Sequence, residues 1–172
     1  TSAPLVLTTY YVLGFALVAA TTYVSLRLLG ITRPVACVSG VLLAVIPYHF
    51  AHGPPHLFLA AYFAIPAIGF LIIRLVQGEP LIVRWQGVSG RRALLTPVTV
   101  WSLASIVLAG GSTLYYAVFA LVMLSIVALV RAVQESSLRA AAPALTVVAA
   151  IGVVLVLNVA PGILYQVANG PI

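Results

Sequence analysis

No charged side chain stands between the start of the chain and Arg27, between Arg33 and Arg74, between Arg92 and Arg131, or after Arg139. Each of these uncharged stretches is dominated by Ala, Val, Leu and Ile. A chain built this way lacks the polar surface that a water-soluble domain requires: 63% of its 172 residues are apolar and 6% are charged, against roughly 45–50% and 25% in soluble domains. The fold class that accommodates it is all-α, a polytopic transmembrane helix bundle, because a helix satisfies its own backbone hydrogen bonds inside a bilayer. The net charge of +6 comes from eight Arg set against two Glu. Such a balance suggests nucleic-acid binding only when the cations share a solvated surface. Here they punctuate apolar runs, which excludes that class.

A bilayer core about 30 Å thick needs about 20 apolar residues in a helix, fewer where a helix is short or re-entrant within a bundle. Six spans meet this reading: 5–26, 34–47, 56–76, 94–109, 114–130 and 144–164. The second and fourth are short for a full crossing. Together they make residues 1–172 a single transmembrane bundle, expected to be part of a longer chain because it begins at Thr1 and ends just after an apolar run. Six crossings place alternate connections on opposite sides, and every Arg and Glu then falls on one side. Arg27 and Arg33 lie in the first connection. Arg74, Glu79, Arg84, Arg91 and Arg92 lie in the third, and Arg131, Glu135 and Arg139 in the fifth. Basic loops are retained in the cytoplasm, so both ends are expected to face outward. Gly30, Pro34, Pro54, Pro55, Gly110, Gly111 and Pro143 fall at the expected helix ends, where breakers belong. In the long inner loop, Leu81 to Trp85 can lie on the inner leaflet with Trp85 at headgroup depth and arginines near anionic lipids. An ordinary positive-inside loop with an interfacial Trp explains the same residues.

The polar chemistry gathers on the other side. All three His lie between the second and third spans: His49 and His52, which share a face if the segment is helical, and His56 beyond Pro54 and Pro55. Three readings remain open for this loop. A metal site has three imidazoles but no carboxylate or thiolate beside them. A site for an anionic headgroup, such as a lipid-linked phosphate, has imidazoles, tyrosines and the N-terminal N–H groups of the third span. Histidines that simply sit at a water boundary need no ligand at all. The second outer turn, Gly110 to Tyr116, carries Tyr115 and Tyr116, which either line a ligand groove or belong to an aromatic belt. Within the third span lies Tyr62, and Pro66 is expected to kink that helix and free a carbonyl. Asn158 in the sixth span suits a helix-to-helix hydrogen bond. Cys37, alone, makes no intrachain disulfide. No outward Asp or Glu exists, so acid or base work on that side falls to His, and a hydrolase triad lacks its orienting carboxylate.

The run Pro47-Tyr48-His49-Phe50, then His52-Gly53, then His56-Leu-Phe-Leu-Ala-Ala-Tyr62-Phe-Ala-Ile-Pro66, resembles a segment of bacterial polytopic membrane proteins of the GT-C glycosyltransferase superfamily, the sugar or phosphoglycerol transferases. Gly110 to Phe119 and Pro161 to Pro171 look like further parts of the pattern. The resemblance implies transfer of a sugar or similar group from a polyprenyl-phosphate donor, on the outer side of a bacterial plasma membrane. It implies membrane lipids and a lipid-linked phosphate donor as partners, and His56, Tyr62, Pro66, Tyr115 and Tyr116 as residues lining the substrate site, which His49 and His52 join as substrate-binding candidates from the chemistry of their own loop. The acidic catalytic residue of such enzymes usually follows the first membrane helix, and nothing here matches it. The catalytic residue is thus unassigned, and no cofactor is identifiable, with room for a divalent metal in the full-length protein. Two other classes compete: a secondary transporter or lipid flippase, with the short second and fourth spans as broken helices at a midplane site, and a structural subunit.

Overall fold

The computed structural model describes residues 3–52, 56, 59, 62–85 and 94–170. These form seven α-helices: α1 (Ala3–Leu28), α2 (Arg33–Ala44), α3 (Pro47–His52), α4 (Ala64–Val76), α5 (Pro97–Gly111), α6 (Leu114–Gln134) and α7 (Ala142–Asn169), with a 3-10 turn at Leu138–Ala141 leading into α7. No strand occurs among the described residues, and the all-α fold class follows. Helices α1, α6 and α7 are long and apolar enough to cross a membrane. Helices α2, α4 and α5 have 12, 13 and 15 residues, about 18–22 Å at 1.5 Å per residue, short of a bilayer core. These three helices correspond to the second, third and fourth expected spans, of which the third also includes residues 57, 58, 60 and 61, outside the described residues.

The chain divides into two compact units, Thr1–Ser105 and Ile106–Ile172. In the first, α1 packs on α2 and on α4. The α1/α2 contact is close because Gly40 faces the α1 backbone: a Cβ built on it would lie 2.8 Å from the Ala19 carbonyl oxygen. Ala36 and Ala44 are buried on the same side of α2. Helix α4 buries Ala64, Ala67, Ile68, Phe70, Leu71, Arg74 and Leu75, positions recurring at the three-and-four spacing of one helical face. In the second unit α6 packs on α7. Here Ala117, Ala120, Leu124, Val127 and Ala128 are buried on α6 and Ala144, Val147 and Ile151 on α7, the alanines among them small enough to let helix backbones approach. The last turn of α5 joins this unit, since a Cβ on Gly110 would meet Val154 Cβ at 2.7 Å.

One solution ends three helices. After α1, Gly30 (φ +85°) lets its own N–H donate to the Arg27 carbonyl while Ile31 N–H donates to Leu26. After α4, Gly78 (φ +71°) donates to Leu75 and Glu79 to Arg74. After α6, Ser136 (φ +46°) donates to Val133 and Ser137 to Ala132. Each is a left-handed cap that satisfies the last free carbonyls. Each helix also carries an Arg in its last turn, where the negative end of the helix dipole favours a cation, and each Arg folds over the cap. Arg27 donates to the Ile31 carbonyl, Arg131 pairs with Glu135, and Arg74 pairs with Glu79 at 2.7 Å and donates to the Pro80 carbonyl at 2.7 Å. Arg74 also lies 5.8 Å from the Phe70 ring centroid.

The contacts fix which ends lie together within each unit. In the first, the Tyr62 hydroxyl just before α4 donates to the Leu43 carbonyl at the end of α2 (2.9 Å), so the far ends of these helices carry Arg33 and Arg74. Trp101 near the start of α5 donates through Nε1 to Ser25 Oγ near the end of α1 (3.1 Å), bringing in Arg27. The charges of this unit described here thus share one pole. In the second unit, Arg131, Glu135 and Arg139 surround the α6/α7 connection, while Asn158 and the Gly111–Ser112 turn meet at the opposite pole.

One expectation is revised. Pro66 does not kink a helix: α4 begins at Ala64, so Pro66 occupies a first-turn position where no intrahelical N–H bond is lost. Among the helix glycines, Gly40 sits at a close contact, whereas a Cβ on Gly69 or Gly152 would meet nothing within 4 Å. Pro54, Pro55, Arg91 and Arg92 lie outside the described residues.

Candidate functional site

The uncharged pole of the first unit is built on aromatic side chains. Tyr62 is 2% exposed, and its phenol donates to two carbonyls at the end of α2, Leu43 (2.9 Å) and Ala44 (3.3 Å). Those carbonyls have no partner within a helix that stops at Ala44, so one side chain closes α2 and ties it to the start of α4. Tyr48 stands edge-on to the Tyr62 ring, centroids 5.5 Å apart and planes at 89°, the favoured geometry for an aromatic pair. From α1, Tyr11 and Phe15 stack edge-to-face at 5.4 Å, as their i, i+4 spacing allows. Phe15 in turn meets Phe50 of α3 at 5.4 Å. The short helix Pro47–His52 is therefore held against α1 through Phe50 and against Tyr62 through Tyr48.

This frame positions the histidine segment. His49 and His52 lie on the helical backbone of α3, which meets the condition for sharing a face; their side chains lie outside what the structure describes. His56 is exposed. The elements thus bring His56, Tyr48 and Tyr62 to one pole, with Tyr62 inside the wall and the imidazole of His56 accessible. Sequence reasoning singled out Tyr62 but missed the supporting aromatics Tyr11 and Phe15 on α1. The Tyr11/Phe15 spacing carried that signal, hidden within an otherwise uniform apolar helix.

The other predicted cluster lies in the second unit. The adjacent tyrosines point to different environments: Tyr115 is 63% exposed and Tyr116 is 3% exposed, their rings edge-to-face at 5.5 Å. Tyr116 is therefore a core residue of the α6/α7 pair, and Tyr115 alone has the exposure of a belt or ligand-facing aromatic. Between them and α5, Ser112 Oγ donates to the Ala109 carbonyl (3.0 Å). Asn158 Nδ2 reaches the Gly111 and Ser112 carbonyls at 3.5 Å, so the helix-to-helix bond expected of it is made to the last residue of α5 and the turn that follows. Thr113 precedes α6 in an extended conformation without capping it, and its Oγ1 is buried without a partner among the described residues.

Chemically, the described residues at these poles have an exposed imidazole, phenols, backbone N–H groups at the start of α6, and no carboxylate. Both Glu residues lie at the charged poles, already engaged by Arg74 and Arg131. Among the described residues no three His, Cys, Asp or Glu come together as a metal site. The pole of the first unit, with its exposed imidazole, can bind and orient an anionic or polyhydroxylated headgroup, and proton transfer on it has His to draw on. No protein-family model, no curated protein and no solved structure matches this chain.

Proposed function

We propose that this chain is the membrane bundle of a GT-C-like transferase that uses a polyprenyl-phosphate-linked sugar, or a similar donor, on the extracytoplasmic face of a bacterial plasma membrane. The observation that carries the reading is the aromatic-framed histidine pole: Tyr48 and Tyr62 hold the start of the Pro47–Pro66 motif, the part of the sequence on which the family resemblance rests. In this reading His49, His52 and His56 of the first unit face the donor headgroup and Tyr62 shapes the wall behind them, while in the second unit Tyr115 is the exposed candidate for lipid or substrate and Tyr116 is the core residue behind it. The charged pole of each unit faces the cytoplasm, in keeping with retention of basic loops there, and both ends of the chain face outward. The catalytic carboxylate belongs to another part of the full-length protein.

The test uses the whole protein in membranes supplied with a polyprenyl-phosphate-linked donor. His56→Ala should weaken donor use at least tenfold while leaving the amount of folded protein unchanged; wild-type transfer by this variant refutes the site. Absence of any acidic residue from the outer loops of the full-length sequence refutes the enzyme reading as a whole. A second reading, a transporter or flippase segment, is favoured by one observation: α2 and α5, with 12 and 15 residues, have the lengths of broken helices near a midplane site. Donor-independent movement of a lipid-linked substrate across vesicles would select it.

A further inference from the structure

The segment that follows α4 is fastened at both ends. Arg74, 7% exposed, grips Glu79 and the Pro80 carbonyl at 2.7 Å each. Three residues on, Val83 is held at its backbone by the start of α5. Its N–H donates to Thr99 Oγ1 (2.8 Å), and its carbonyl accepts from Thr99 Oγ1 (3.0 Å) and Thr96 Oγ1 (3.2 Å). Both threonines are buried, and Thr96 also caps α5 by accepting from the Thr99 N–H (3.1 Å). With Val83 drawn inward, its neighbours in this non-helical stretch are turned outward: Ile82 is 61% and Trp85 51% exposed, and Arg84 is exposed beside them.

The height of this group follows from its anchor. Val83 is bonded to the first turn of α5, at the same pole as Arg27 and Arg33, so Ile82 and Trp85 stand level with the ends of the membrane helices. Apolar and indole side chains at that level insert at the headgroup boundary. The charge balance beside them is positive. Glu79, the acidic residue of this segment, is neutralised by Arg74, whereas no carboxylate is paired with Arg84 among the described residues.

The geometry points to an anionic-phospholipid site at Ile82, Arg84 and Trp85, in which the two apolar side chains enter the boundary of the cytoplasmic leaflet and the Arg84 guanidinium takes the lipid phosphate. A guanidinium forks two N–H donors onto a phosphate, and a basic residue at an anionic leaflet contributes about 1 kcal/mol, which corresponds to about fivefold enrichment of anionic over neutral lipid. This inference does not depend on the transferase reading and concerns the opposite pole of the unit.

The test reconstitutes the full chain in phosphatidylcholine vesicles containing, at equal mole fraction, either brominated phosphatidylglycerol or brominated phosphatidylcholine. Quenching of Trp85 is the wild-type signal minus that of a Trp85→Phe variant, which removes the Trp101 contribution. Brominated phosphatidylglycerol should quench Trp85 about three- to fivefold more strongly, and the ratio should fall to about one in Arg84→Gln. Equal quenching by both lipids in the wild type, quenching by neither, or an unchanged ratio in Arg84→Gln overturns the site. Thr99→Val retains Arg84 but removes two of the three hydrogen bonds that anchor Val83, and should at least halve the preference; a ratio equal to wild type overturns the role of the pinned backbone. None of these readouts is a transfer assay, so failure here and failure of the proposed activity are separable.

Discussion

Replacing Gly40 and Gly69 by Ala makes one chemical change at two helix positions, and the structure assigns them opposite outcomes. At Gly40 the new methyl would sit 2.8 Å from the Ala19 carbonyl oxygen. Ordinary contact is about 3.5 Å, so the two helices must part by about 0.7 Å or the carbonyl must tilt out of its hydrogen bond. A gap of that size forfeits about a quarter to a half of the dispersion energy of the contacts it opens. Overpacking of this kind typically costs about 1–3 kcal/mol. At Gly69 a Cβ meets nothing within 4 Å, and the change brings only the helix-propensity gain of Ala over Gly, about 1 kcal/mol. The same gain applies at Gly40 and cancels in the comparison, leaving Gly40→Ala less stable than Gly69→Ala by about 1–3 kcal/mol. Purified protein in mild detergent, titrated with dodecyl sulfate and followed by circular dichroism, reads this difference directly. Equal stabilities within about 0.5 kcal/mol, or the reverse order, would refute the claim that α1 and α2 meet backbone to backbone at Gly40.

Two further predictions concern the capped helix ends and use the same titration. Ser136 holds a positive φ of +46°, a conformation that costs an L-residue about 1 kcal/mol relative to Gly. Ser136→Gly should stabilise the protein by about 0.5–1 kcal/mol, and a loss of stability would show that the Ser136 side chain matters more than its backbone. The Arg74–Glu79 pair should respond asymmetrically, because the Arg74 side chain is 9% exposed and that of Glu79 50%. Glu79→Ala leaves a buried cation and should cost about 1–3 kcal/mol, whereas Arg74→Met leaves a hydrated carboxylate and should cost less. The opposite order would mean that the guanidinium is better hydrated than its burial indicates.

Much of the fold was legible because one signal dominates it. Long uncharged apolar runs locate α1, α6 and α7, and Gly30 and Gly78 mark ends that only a left-handed residue closes well. Where the same signal serves two structures, reading fails. Pro66 looks like a kink if a helix runs from 56 to 76, and like an ordinary first-turn residue once the helix starts at Ala64. Tyr115 and Tyr116 look alike as letters, yet the 100° step between successive helix positions sends one outward and the other into the core. Long-range polar ties were beyond reach: nothing local joins Val83 to Thr99 sixteen residues on, or Trp101 to Ser25. The candidate site was legible as a motif, with its supporting aromatic frame on α1 hidden in a run that composition describes only as apolar.

The three arginines at the ends of α1, α4 and α6 have a consequence for how this chain tolerates change. Under the proposed orientation, the cation that retains a loop in the cytoplasm during insertion is the same cation that later closes the helix behind it. Insertion registers only charge, and lysine supplies it equally well. Closure requires a planar guanidinium that reaches a carbonyl or carboxylate beyond the cap, as Arg74 reaches Glu79 and Pro80 at once, and the ammonium of lysine lacks that fork. Biogenesis and folding therefore place different demands on the same three positions, and at Arg74, which holds two partners at once, only arginine meets both. A chain with eight Arg and no Lys is the composition that such a double requirement favours.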